Sequence, residues 1–271
     1  MLILVSVVVA VGMIAACGKD IESPNTASPD TANQDQAGQA TAHLQAGMEL
    51  REGERHEDAI AEFGEDIRLD PNESAGYYGR AGSYIALEQP QPAIKDLDEA
   101  FRLEPSVADH YWLRGIAYDL LDDSHRAIDD FTRAIAEDPS FTVALNNRGA
   151  AYVDIGEYDL AIQDLDKAIL LDASNVQLLV NRAIANAALG RTEASSGDVD
   201  RAVALGTERE LIELLILAYM VSIEEADSTE ELATEVSAET IVNLANDIQP
   251  ALVESIRNMP ATVEEAMASL E

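Results

Sequence analysis

Three sets of residues in this 271-residue chain could do chemistry. Cys17 is its only thiol, His43, His56, His110 and His125 are its only imidazoles, and 17 Lys and Arg face 51 Asp and Glu. A lone thiol builds neither an internal disulfide framework nor a CxxC zinc site. Nucleophilic catalysis would need a base beside it, and no Cys–His pairing of that kind is legible. The histidines are dispersed, without HExxH or other metal-ligand spacing. Acid pairs such as Asp122-Asp123 and Asp129-Asp130 could in principle share a proton, but in so acidic a chain they read as solvated helix faces. Gly-rich phosphate loops and G-x-S-x-G elbows are absent. The expectation is a protein that is not an enzyme, with no catalytic residue, no cofactor and no metal.

The arginines are regular instead. Arg80, Arg114, Arg148 and Arg182 recur every 34 residues, and sixteen residues after each stands an acid: Asp96, Asp130, Asp164 and Asp198. Identical recurrence favours a structural ladder of ion pairs over repeated ligand sites. Stranding one partner of a buried pair costs about 3–5 kcal/mol.

Other columns share the period. They include Ala59, Ala93, Ala127 and Ala161; Phe63, Leu97, Phe131, Leu165 and Val199; Tyr84, Tyr118 and Tyr152; and Pro71, Pro105 and Pro139. Such a set of columns at one long period marks a repeat whose units bury their apolar faces only by stacking. Pairs such as Asp138-Pro139 would stop a helix, because proline disfavours a helical residue before it.

The period and residue types resemble the tetratricopeptide repeat. The third unit matches best, with Tyr111, Arg114-Gly115, Tyr118, Ala127, Phe131, Ala134 and Pro139. The frame gives five units, at 40–73, 74–107, 108–141, 142–175 and 176–207. The resemblance implies an all-α, right-handed α-solenoid of about five helix pairs, with a capping helix at 208–226 and further short helices. It also implies a concave groove lined by the first helix of each unit, where a protein or peptide partner binds. The groove positions place Tyr78, Gly82, Trp112, Ile116, Asp119, Asn146 and Asn181 as candidate contacts. Inter-repeat packing is the alternative for Tyr78 and Trp112.

Residues 1–17 are almost wholly apolar and end Ile14-Ala15-Ala16-Cys17, which resembles a bacterial lipobox. That resemblance implies a signal peptide, lipidation at Cys17 and an extracytoplasmic, membrane-anchored lipoprotein. No basic residue precedes the apolar run, so a start upstream and a short uncleaved anchor are alternatives. Residues 18–39 are rich in Ser, Pro, Asn and Gln and are expected to form a flexible linker.

Beyond the repeats, 211–223 reads LIELLILAYMVSI, apolar nearly all round and too short to span a bilayer. Either the C-terminal segment covers it or a second chain does. Residues 227–271 read as an acidic helical segment, with Leu232, Val236, Leu244 and Ile248 on one face.

The formal net charge of −34 argues against nucleic acid, whose phosphates are bound through Lys and Arg. It argues equally against an anionic membrane surface. The partner should be basic or should present apolar residues. The function expected is a membrane-tethered scaffold in envelope-complex assembly. A small-ligand binder or enzyme using the groove, and a structural envelope protein dimerising through 211–223, are the alternatives.

Overall fold

The computed structural model describes residues 31–227. Within them lie eleven helices and no strand: α1 (Thr31–Glu52), α2 (His56–Leu69), α3 (Ser74–Ala86), α4 (Pro90–Leu103), α5 (Ala108–Asp119), α6 (Ser124–Glu137), α7 (Thr142–Asp154), α8 (Tyr158–Leu171), α9 (Val176–Ala188), α10 (Thr192–Ala204) and α11 (Arg209–Asp227). They form two compact units that divide inside α7, between Asn147 and Arg148. Up to Asn147, α1 pairs with α2, α3 with α4 and α5 with α6, and α2–α3 and α4–α5 contacts join successive pairs. From Arg148 onward, α8 packs on α9, α9 pairs with α10, and α11 packs on both α9 and α10.

Column residues make the contact inside each pair. Ala59, Ala93, Ala127 and Ala161 are fully buried, beside equally buried Phe63, Leu97, Phe131 and Leu165. Each large side chain so buried stabilises the fold by about 1.5–3 kcal/mol. The close approach rests on absent side chains: a Cβ on Gly115 would stand 2.5 Å from the Phe131 ring.

Within a pair the chain reverses through one left-handed residue. Glu54, Glu88, Asp122, Gly156 and Gly190 occupy this place, with φ of 57°, 54°, 56°, 77° and 67°. The following N–H closes the helix end, as Gln89 N does on Tyr84 O at 2.8 Å and Glu157 N on Tyr152 O at 2.8 Å. This is the 6→1 bond of a Schellman ending, which glycine favours. Three acidic residues here therefore sit in a conformation that costs an L-residue about 1–2 kcal/mol. Ahead of Pro139, Asp138 is extended (φ −130°, ψ 97°) and ends α6.

The amino-terminal boundary differs from expectation. Residues 31–39, read as linker, belong to α1. They contain no proline, and Ala and Gln are good helix formers. Tertiary contacts also hold the segment: Ala40 is buried, and Gln36 Nε2 donates to Leu69 O at 2.9 Å. Cys17, residues 18–30 and residues 228–271, to which anchoring, flexibility and further helices were assigned, lie outside the described residues.

Candidate functional site

The first arrangement built by the repeat is the ion-pair ladder. Arg80 grips Asp96 through Nε and Nη2, both at 2.8 Å. Arg114 does the same to Asp130 at 2.7 and 2.9 Å, and its Nη1 reaches Asp98 at 2.8 Å. Arg148 holds Asp164 at 2.6 and 2.8 Å. Arg182 holds Asp198 at 2.8 and 2.5 Å and also pairs with Asp166. Each arginine stands on the first helix of a pair and each of these principal acids on the second. The paired Asp96, Asp130, Asp164 and Asp198 are all buried, so the two-pronged guanidinium replaces their lost water. At Arg114 burial pulls the guanidinium down, but hydrogen bonds to Asp130 and Asp98 outweigh it and push it up. A buried acid gripped on two oxygens by a guanidinium is committed to that pair, so the ladder is architecture. Asp98 and Asp166, sixteen residues before Arg114 and Arg182, are second acids that the column argument missed. Their mirrored spacing was legible.

The second arrangement is a helix face. In the first helix of each pair, residues four and then three apart share one side. Up to Asn147 these are Leu44, Met48 and Arg51 on α1; Tyr78, Gly82 and Ile85 on α3; and Trp112, Ile116 and Asp119 on α5. The face is graded. Met48 is 38% exposed, Leu44, Arg51, Tyr78 and Asp119 are half-buried, and Gly82, Trp112 and Ile116 are buried. Gly82 leaves room for a neighbour: a Cβ there would meet Arg51 Nη1 at 3.2 Å. Asn146, on α7, is fully buried. Trp112 was a candidate contact with inter-repeat packing as its alternative. Only 2% of it is exposed, it packs on Phe141 with ring centroids 5.7 Å apart, and its Nε1 lies 3.2 Å from the Asn147 amide, whose oxygen accepts from it once that amide is turned over. An aromatic at this depth supports packing. Of the expected contacts Tyr78 and Asp119 keep exposure on this face, and the structure adds Leu44 and Met48.

From Arg148 onward the equivalent face is closed. Val153 of α7 and Val180, Asn181 and Ile184 of α9 are buried. Helix α11 lies against α9, burying Ile212, Leu214 and Tyr219. The Tyr219 hydroxyl donates to Val153 O at 2.9 Å and lies 3.1 Å from the Tyr158 hydroxyl, the two rings meeting edge to face. Burial, then the Tyr158 hydrogen bond, pushes the Tyr219 phenol up, so it stays protonated. One face of the apolar 211–223 segment is thus covered in cis. Nothing in the sequence distinguished Tyr219 from its neighbours. An open hollow of about 400 Å³ lies elsewhere in this unit, lined by Ile162, Asp166, Arg182, Asn186, Asp198 and Arg201 among others. Its charged groups are those of the ladder.

One carboxyl departs from the pattern. Ala100, Ala134, Ala168 and Ala202 occupy a buried column, and Asp66 takes its place in the first pair. Asp66 is 2% exposed and its Oδ2 has no partner. It fills the space left by Gly76, where a Cβ would stand 2.1 Å from Oδ2. Burial first, then Glu73 and Asp70, push its carboxyl up to about 6. Among the described residues no group of three His, Cys, Asp or Glu could hold a metal ion, and no helix is long and apolar enough to cross a membrane.

Paired helices on a 34-residue period, locked by repeated ion pairs, define a helical-hairpin repeat protein. Residues 142–175 match one tetratricopeptide repeat model and residues 78–141 another. Residues 78–175 are therefore tetratricopeptide repeats. The chain's fold is similar to that of MamA, at 23% identity over 62% of this chain and 91% of that one, TM-score 0.56. It is similar to YrrB, described as a TPR protein with an unusual peptide-binding site, at 19% identity over 67% and 93%, TM-score 0.56. It is also similar to PilF of Pseudomonas aeruginosa, at 13% identity over 88% and 100%, TM-score 0.61. Identities this low show the fold alone. No curated protein matches the chain.

Proposed function

We propose that this chain is a non-enzymatic scaffold that binds a partner protein or peptide across the α1 and α3 face carrying Leu44, Met48 and Tyr78. We further propose that lipidated Cys17 tethers it outside the cytoplasmic membrane, where it serves assembly of an envelope complex. The observation that carries the binding reading is the open part of the helix face, where Met48 stays 38% exposed beside half-buried Leu44 and Tyr78. Apolar and aromatic groups partly desolvated before binding are good anchors. Charge supports a basic or apolar partner. Twelve arginines from Arg55 to Arg209 each hold a carboxylate: Arg55, Arg68, Arg80, Arg102, Arg114, Arg126, Arg133, Arg148, Arg182, Arg191, Arg201 and Arg209. The remaining surface acids steer cations toward the chain. The similarity to a repeat protein described with a peptide-binding site supports the same reading.

Co-purification of the full chain from its host's membranes tests this. The expected result is a stoichiometric protein partner, lost with Tyr78→Ala while the helical content is kept. Retention of a small metabolite with no protein partner would overturn the binding reading. The tether is tested by mass spectrometry of the membrane fraction, which should find Cys17 lipidated. Recovery of the chain from the cytosol with an unmodified thiol refutes it.

A further inference from the structure

In residues from Arg148 onward, the helix face equivalent to that of Leu44 and Met48 is already filled. Val153, Val180 and Ile184 are between 1% and 6% exposed, and α11 is packed against α9, which carries two of them. The filling is asymmetric. Ile212 and Tyr219, seven residues apart, share one side of α11 and are buried, while Glu213 is exposed and Leu211, Leu215, Leu217 and Met220 are only half-buried. Beyond apolar contact, α11 is fixed at one end by Arg209, which pairs with Asp200. Toward the other it is fixed by the Tyr219 hydroxyl on Val153 O and Tyr158. An apolar helix laid on an apolar face, oriented by one buried hydroxyl, is the chemistry by which a groove recognises a helical ligand.

We propose that α11 is a resident plug, an internal ligand of the face formed by α7 and α9, and that a partner's apolar helix bearing a tyrosine exchanges with it. This rests on the partner-binding reading above and adds the class of ligand and its regulation. The plug competes at the high effective concentration of a tethered segment. Access of a partner is therefore set by the small fraction of chains in which α11 is displaced.

The test is an exchange measurement on the full chain. The probe is a fluorescently labelled peptide of residues 209–227 at nanomolar level, titrated with the chain and read by anisotropy. Tyr219→Phe keeps the buried ring and removes only the hydroxyl bonds. The expected result is weak binding to the wild-type chain and about fivefold or tighter binding to the variant, from the loss of about one buried hydrogen bond by the plug. A peptide carrying the same Tyr219→Phe change should lose that advantage, because plug and probe are then equal again. That reciprocal pattern is one that mere destabilisation would not give. Tyr158→Phe, which removes one hydroxyl partner from plug and probe alike, should abolish part of the difference between the two peptides. Equal affinity for wild-type and Tyr219→Phe chains, or no binding to either, overturns the plug. Those outcomes leave recognition on the Met48 and Tyr78 face standing, since that reading fails separately, by the co-purification above.

Discussion

Asp66→Asn tests how the first repeat was built against the alanine column. In the folded chain the Asp66 carboxyl is buried, with Oδ2 unpaired, and Glu73 and Asp70 add like charge. His43 pulls the other way, and its Nδ1 is engaged at 2.6 Å with Glu62. The carboxyl is raised from 3.8 to about 6. The folded state therefore holds the proton more tightly than the unfolded chain. Stability is greatest below pH 3.8, falls as pH rises between 3.8 and about 6, and the loss is complete above that. The full difference corresponds to about 3 kcal/mol, and solvent screening at the edge of the site reduces this to about 1–2 kcal/mol. Asparagine is the neutral isostere and escapes the penalty. Repeat arrays unfold in parts, so the assay is amide exchange over α2 and α3, comparing both proteins at the same pH. At pH 7.5 the variant should be better protected by about 5–30-fold. At pH 5 about half of that free-energy advantage should be gone. Weaker protection in Asp66→Asn at pH 7.5, or a difference independent of pH, would refute the reasoning.

Other perturbations follow from the same geometry. Arg114→Ala leaves buried Asp130 with only the 3.4 Å bond from exposed Arg133 and should cost about 3–5 kcal/mol in urea unfolding, whereas Arg102→Ala, which breaks an exposed pair with Glu99, should cost less than about 1 kcal/mol. An Arg114→Ala, Asp130→Ala double variant should lose less than the sum of its parts; strict additivity would mean the pair is not coupled. Glu88→Gly relieves a left-handed residue and should stabilise by about 0.5–1 kcal/mol, while Gly156→Ala at the equivalent turn should destabilise by about as much. Gly115→Ala should cost about 1–3 kcal/mol, because the new methyl meets the buried Phe131 ring; an unchanged melt would show that the ring yields freely.

The repeats were legible because each column answers one physical demand that recurs every 34 residues. Ala127 lies where helices approach, Phe131 where a gap needs filling, and Arg114 and Asp130 where both ends of a pair fall within reach. Features that do not recur were less legible. The start of α1 at Thr31 depends on contacts such as Gln36 with Leu69, and a Ser/Gln-rich composition does not reveal them. Trp112 shares a groove register, but register fixes the side of a helix and not its depth, which Phe141 and Asn147 set here. Tyr219 meets Val153 across 66 residues of chain, a pairing with no local signal. Asp66 was readable as a break in the alanine column, and its meaning emerged once the space left by Gly76 was seen.

The most direct test of the central claim places a photo-crosslinking amino acid at Met48, on the open helix face, and in a second chain at Glu137, at the exposed end of α6. Both full-length chains are irradiated in the host's membranes. The account predicts one discrete protein adduct from position 48, diminished by Tyr78→Ala, and none from position 137. An adduct from position 137 alone, or none from position 48, would contradict it.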